Sequence, residues 1–138
     1  AAKMIGEAKR PVILAGHGVL MSGAMEDLRL FAEKTQTPVA MTLLGLGSIP
    51  ASHPYSLGMM GMHGESWVNH AIQDADLLIA CGMRFDDRVT GTLKTYSPNS
   101  KKIHIVIQCF FPYNPVQICQ LHRIFCHLYI VYHRQVVL

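Results

Sequence analysis

Four short apolar runs separated by helical stretches constrain this chain most. VILA ends at Gly16, PVAMT opens at Pro38, LLIAC spans 77–81 and KKIHIVI opens at Lys101. Each has the length of a buried strand, too short for a core helix. Between them lie a helix-like opening over 1–9, AMEDLRLFAEK with Met25, Leu28, Phe31 and Ala32 at helical spacing, and ESWVNHAIQDAD with Trp67, Ala71 and Ile72 on one side. Ser22 is placed to cap the second helix or its entry turn. Strands alternating with amphipathic helices predict an α/β fold, a parallel sheet covered by helices on both faces. Ligands of such sheets bind beyond the carboxyl ends of the strands. Three unusual loops follow predicted strands there: GHG, TLLGLGS and GMRFDDR.

The loops differ in what their residues offer. In AGHGVLMSG, Gly16 and Gly18 let the backbone approach a ligand, and the next helix turns its first amides towards an anion. As a dinucleotide fingerprint the motif is incomplete, because Met21 stands where the third glycine belongs and no acidic residue stands about 20 positions on. A plain strand-to-helix turn explains it equally. SLGMMGMHGES places Met59, Met60 and Met62 in a glycine-rich stretch that supplies no strand or helix face for them. Such polarisable side chains suit packing against a flat aromatic ring, and that reading is preferred to core filling. GMRFDDRVTG carries two guanidinium groups able to reach phosphate or carboxylate, with Phe85 as an anchor. Its adjacent carboxylates are no convincing acid–base pair, and a loop held by internal ion pairs is the alternative. No catalytic residue is assigned.

A chain of 138 residues, half of them apolar, builds one core. The net charge of +3 comes from scattered Lys and Arg, so nucleic acid is not an expected partner. No apolar stretch approaches the roughly 18 residues that cross a bilayer, and no signal-peptide pattern opens the chain, so a membrane is not expected either. The expected compartment is the cytoplasm, or an organelle interior in a eukaryote. Cys81 reads as a small core residue, and four cysteines are too few for a disulfide scaffold. The vocabulary then changes abruptly. All glycines lie at or before Gly91 and all carboxylates at or before Asp87, while 108–138 lacks Gly, Ala, Ser, Thr, Asp, Glu, Lys and Met. Turns and solvated surfaces need those residues. Residues 1–107 therefore read as one coherent domain and 108–138 as a tail foreign to it. His104, Cys109, Cys119, His122, Cys126, His127 and His133 contain no close two-cysteine hook, so zinc is the less favoured reading and no metal ligand is assigned.

Taken in order, AGHGV, TLLGLGSIP, LGMMGMHG and CGMRFDDRVTG followed by KKIHI resemble the central domain of the acetohydroxyacid synthase (acetolactate synthase) large subunit over residues 1 to about 105. The resemblance implies a three-layer, Rossmann-like domain of the deoxyhypusine-synthase-like NAD/FAD-binding type with a six-stranded parallel sheet, incomplete or altered at its carboxyl end. In that family the domain lies between two thiamine-diphosphate domains and holds FAD, which has no redox role in the main reaction. That reaction, dependent on thiamine diphosphate and Mg2+, decarboxylates pyruvate and joins the two-carbon unit to a second 2-oxoacid in branched-chain amino-acid biosynthesis. Partners implied are the other domains of the subunit, a second catalytic subunit and a regulatory subunit.

Carried over by position, the resemblance places Gly16, His17 and Gly18 along the FAD phosphates and ribitol, and Thr42, Leu43 and Leu44 along the flavin. Gly61, Met62, His63 and Gly64 lie beside it, and Gly82, Met83, Arg84, Asp86, Arg88 and Val89 complete the wall. Asp87 and Arg88 approach the substrate channel, where the family's herbicides bind. His17 departs from the glycine common at that place, and a side chain there crowds the pyrophosphate. The acidic strand end close to HIDID, which helps fix the adenosine half, reads HIVIQ here, with Val106 and Gln108 at the acidic places. A frameshift, a splice or annotation error, or a fusion explains so abrupt a loss; an uninterrupted family-like reading in another frame of the coding DNA is the expected support. The glutamate that activates thiamine diphosphate and the Gly-Asp-Gly metal motif belong to other domains of the family, so these residues alone are expected to be inactive in acetolactate formation. The alternatives are a free-standing NAD or nucleotide module and a non-functional product.

Overall fold

The computed structural model describes residues 1–91, 95–108 and 127–133, with Asp87, 106–108 and 127–133 described by backbone alone. The elements run α1 (Ala2–Glu7), β1 (Pro11–Ala15), α2 (His17–Met21), α3 (Met25–Thr35), β2 (Val39–Met41), β3 (Ser56–Met59), α4 (Ser66–Gln73), β4 (Leu77–Cys81), α5 (Asp87–Thr90), β5 (Lys101–Gln108) and β6 (His127–His133). They build one sheet in the order β3-β2-β1-β4-β5-β6. The first five strands in that order are parallel, and β1, with the first strands of its neighbours on either side, sits at the centre.

The central strands are apolar on both faces because each face has its own core. Val12, Leu14, Leu78 and Ala80 point to the side that carries Val68 and Ile72 of α4. Ile13, Ala15, Ile79 and Ile103 point to the side of Val19, Leu28 and Ala32, with Met4 and Ile5 of α1 alongside. Strand periodicity of two thus explains the continuous VILA and LLIAC runs, and the three-layer α/β arrangement follows.

Several local expectations are corrected. The loop of 43–64 contains a strand, β3, whose half-buried edge position hides the alternation that marks a strand. GHGVLM is a short helix, α2, and the Ser22 hydroxyl closes that helix by donating to the Gly18 and Val19 carbonyls, 2.8 and 3.2 Å away, while Ala24 is the first cap of α3. On α4 the buried face is Val68 and Ile72, and Trp67 is exposed, its indole N–H donating to the Leu57 carbonyl. The sixth strand is antiparallel: β6 runs against β5 from Lys102↔His133 to Gln108↔His127, so the resemblance's all-parallel sheet holds for five strands. β6 lies within the segment read as foreign, and β5 is paired on both sides.

At the amino ends of the strands one residue ties three of them together. The Asp76 carboxylate accepts from the Lys9 and Arg10 amides at 2.7 and 2.9 Å, ahead of β1, and its own carbonyl accepts from Lys101 at the start of β5. Partial burial pushes its pKa up, but these charge-assisted bonds outweigh burial and hold it below the ordinary aspartate value. Its stabilisation is therefore complete above about pH 3.9 and is lost as pH falls through the lowered value. Asp76→Asn sets an amide against two N–H donors. It is expected to lower the urea midpoint at pH 7 and to flatten the fall of stability below about pH 4 relative to the unsubstituted chain.

Candidate functional site

The carboxyl ends of β1, β2 and β4 meet in an interlocked set of loops. Gly16 N–H donates to the Cys81 carbonyl, Gly18 N–H to Gly82 and Gly82 N–H to Ile105, each at 2.9 Å, and Thr42 N–H donates to Ala15 at 2.9 Å. A Cβ on Gly16 would lie 2.5 Å from the Gly82 carbonyl oxygen, and one on Gly18 2.8 Å from the Gly82 Cα. A Cβ on Gly45 would strike the Ala15 carbonyl. The glycines therefore serve the approach of one loop to another, and the Gly18 amide expected to face an anion is engaged by Gly82. Thr42 caps the single 3-10 turn Leu43–Gly45, its hydroxyl accepting from Gly45 N–H at 3.0 Å.

The methionine-rich stretch divides. Met59 ends β3, Met60 is 3 % exposed in the core, and of the three only Met62 is exposed. The expectation that all three lack a structural face is thus overturned by β3 and its packing. Gly61, at φ +102°, is buried between two neighbours: the Asn69 side chain and the Arg88 carbonyl, which accepts from Met62 N–H at 3.0 Å. His63 is exposed and Gly64 half-buried, with Gly64 N–H donating to Gly61.

In GMRFDDRVTG the roles also separate. Gly82 sits at φ +60° and Met83 is buried in the core, so only its backbone faces the loop. His104 Nε2 donates to the Met83 carbonyl at 2.7 Å, and Phe85 packs edge-on against His104 and Tyr96. Asp86 stands just ahead of α5: its carbonyl accepts from the Thr90 amide and hydroxyl, and its carboxylate from the Val89 amide at 3.2 Å. Arg84 has a side chain 90 % exposed and stands 3.9 Å from Asp86. Val89 packs on the core, and Asp87 and Arg88 lie in α5, Arg88 exposed. Cys81 is a free thiol at the end of β4, and burial pushes its pKa up to about 12, which favours the protonated thiol over the thiolate.

The loops of this edge carry exposed apolar side chains and an exposed cation. Leu43, Leu44 and Met62 are 68, 66 and 70 % exposed, and His17, His63 and Arg84 are exposed around them. Of the residues weighed against a zinc site, Cys109, Cys119, His122 and Cys126 lie outside the described residues, His127 and His133 are described by backbone alone, and His104 is engaged with Met83. Among the described residues no cluster of three His, Cys, Asp or Glu side chains could hold a metal, and no helix is long and apolar enough to cross a membrane.

The profile of the family "Thiamine pyrophosphate enzyme, central domain" matches residues 1–110. The chain belongs to that family. Relatives of this central domain include the "Probable acetolactate synthase large subunit" of Methanocaldococcus jannaschii, 53 % identical over 107 residues, which are 78 % of this chain and 18 % of the relative. The "Acetolactate synthase large subunit" of Corynebacterium glutamicum is 54 % identical over 104 residues, 75 % of this chain and 17 % of the relative. "Acetolactate synthase 1, chloroplastic" of Zea mays is 48 % identical over 105 residues, 76 % and 16 %. The chain thus spans less than a fifth of the length of these relatives, and the resemblance to the acetolactate synthase large subunit holds over most of it.

Within this central domain the sequence reading missed Asn69 and His104 as organisers of the edge. Both act on backbone groups of loops distant in sequence, Asn69 on Gly61 and His104 on Met83. A single polar residue in a helix and a histidine in an apolar strand carry no local pattern that announces such a role.

Proposed function

We propose that the carboxyl edge of this central domain holds FAD, with Leu43, Leu44 and Met62 against the flavin and Arg84 near the phosphates. The observation that carries the reading is that these three large apolar side chains, each about two-thirds exposed, and an exposed guanidinium all stand on loops at the strand ends where α/β sheets take ligands. The residues fit a group with a flat apolar ring and an anionic linker, and soft thioether and aliphatic contacts suit the ring. Gly18 N–H is engaged within the protein, so side chains rather than an amide nest supply the phosphate contacts. His17, Thr42, His63, Asp86 and Val89 frame the edge, and Asp87 with Arg88 lie on the side proposed for substrate approach.

The assembled enzyme proposed for this domain is an acetolactate synthase, supported by the relatives' names and by the loop residues. It condenses pyruvate with a second 2-oxoacid using thiamine diphosphate and Mg2+ held by other domains, next to a second catalytic and a regulatory subunit. FAD supplies structural support there and no redox step, and the role proposed for residues 1–107 is to bind and position it. Residues 108–138 are proposed as foreign to the domain, a reading supported by the end of the family match at residue 110. A thermal-shift series with FAD, NAD and ADP tests the function. FAD is expected to raise Tm most; a larger shift with NAD would replace this reading by a free-standing NAD module.

A further inference from the structure

Asn69 lies on α4, one turn inside the helix, and its side-chain amide reaches back eight residues to a single glycine. Gly61 N–H donates to Asn69 Oδ1 at 3.0 Å, and Asn69 Nδ2 donates to the Gly61 carbonyl at 3.0 Å. Because one partner is a fixed donor and the other a fixed acceptor, the orientation of the amide is determined by the backbone. Among side chains of this size only an amide offers both a donor and an acceptor at its tip. A carboxylate would face the Gly61 carbonyl with negative charge, and an aliphatic chain would leave the buried Gly61 N–H without its partner and the carbonyl with the Gly64 amide alone.

The clamp reaches further than the residue it holds. Gly61 has no room for a side chain, since a Cβ there would lie 2.9 Å from the Arg88 carbonyl oxygen. That same carbonyl accepts from the next amide, Met62 N–H, at 3.0 Å. Gly61 is therefore fixed by α4 on one side and set against α5 on the other, and the exposed Met62 and His63 continue from it. A segment with glycines at 58, 61 and 64 loses much backbone freedom on ordering, so an unclamped loop would bear that cost when a ligand binds.

We infer that Asn69 is the positioning residue of this edge: it locks Gly61 so that the methionine loop and the Arg88 segment of α5 are presented as one preformed surface. Asn69 does not itself touch the ligand. The ligand half of this inference rests on the FAD reading, whereas the coupling of the two loops stands on the hydrogen bonds alone.

Two readouts on the full chain separate these halves. Amide hydrogen exchange at Met62 reports the coupling, since that amide bonds to Arg88 and not to Asn69. In Asn69→Leu it is expected to exchange at least tenfold faster while the β1 and β4 amides keep their protection. FAD titration of the same variant, followed by flavin fluorescence, is expected to show about tenfold weaker affinity. Asn69→Asp, which conserves volume, is expected to move both readouts in the same direction and serves where Asn69→Leu loses β1 and β4 protection. Unchanged Met62 exchange in a folded variant overturns the coupling. Unchanged FAD affinity in a variant with faster Met62 exchange overturns the positioning role. If the unsubstituted chain does not bind FAD, the FAD reading fails, and the exchange result alone decides the coupling.

Discussion

Truncating Leu78 to alanine is expected to destabilise the protein by about 2–5 kcal/mol, the range for removing a large aliphatic side chain from a packed core. Leu78 is fully buried in β4, between β1 and β5, and packs with Val12, Leu14, Val68 and Ile72 on the α4 side of the sheet. The strand pairs of β4 with its neighbours keep the cavity from collapsing, which favours the upper part of that range. Leu43→Ser combined with Leu44→Ser is expected to do the opposite. Both leucines are about two-thirds exposed on a short turn, so stability should change by no more than about 0.5 kcal/mol. FAD affinity should fall about tenfold, the equivalent of losing roughly 1–2 kcal/mol of apolar contact. Urea unfolding and flavin titration of the two variants give the comparison. A core loss as small as the surface one would contradict the assignment of β4 to the centre, and an unaffected FAD affinity would remove the turn from the site.

Gly82→Ala is the second large effect, and Gly23→Ala is its internal reference. The two glycines have nearly the same positive φ, +60° and +68°. Each substitution therefore meets the left-handed penalty of roughly 1–2 kcal/mol. They differ in surroundings. A Cβ on Gly23 meets nothing within 4 Å, whereas one on Gly82 lies 2.8 Å from the Gly18 Cα and the Val19 nitrogen, both backbone atoms that cannot swing away. Overpacking adds about 1–3 kcal/mol to Gly82→Ala alone. The difference between the two urea-derived stabilities measures the contact between the first and third loops. Equal losses would mean that the loops are not interlocked.

This contrast also shows what could be read from residues alone. The apolar runs of β1, β2 and β4 are legible because a parallel strand buried on both faces has no polar alternation to blur it. β3 is not, since its Gly58 and its half-buried edge position leave no run to recognise. The glycines of GHG are legible as close-approach points, but a sequence does not say what approaches. Here it is another loop, through bonds such as Gly18 to Gly82. Met60 reads as cofactor-facing because a loop supplies no periodicity, and Met83 joins the cofactor wall through the resemblance alone, yet both sit in the core with Val12 and Leu14. Arg84, Leu43, Leu44 and Met62 are outward-facing as the site reading requires. Asn69 and His104 were invisible because their partners are backbone groups eight and twenty-one residues away.

The central claim is that FAD sits at the carboxyl ends of the strands, and backbone amide NMR of the labelled chain titrated with FAD tests it most directly. The account predicts shifts concentrated at Leu43, Leu44, Met62, His63 and Arg84, with Lys9, Arg10, Asp76 and Lys101 at the opposite edge unmoved. Shifts centred on that opposite edge, or saturable FAD binding that leaves the three loops unperturbed, would contradict it.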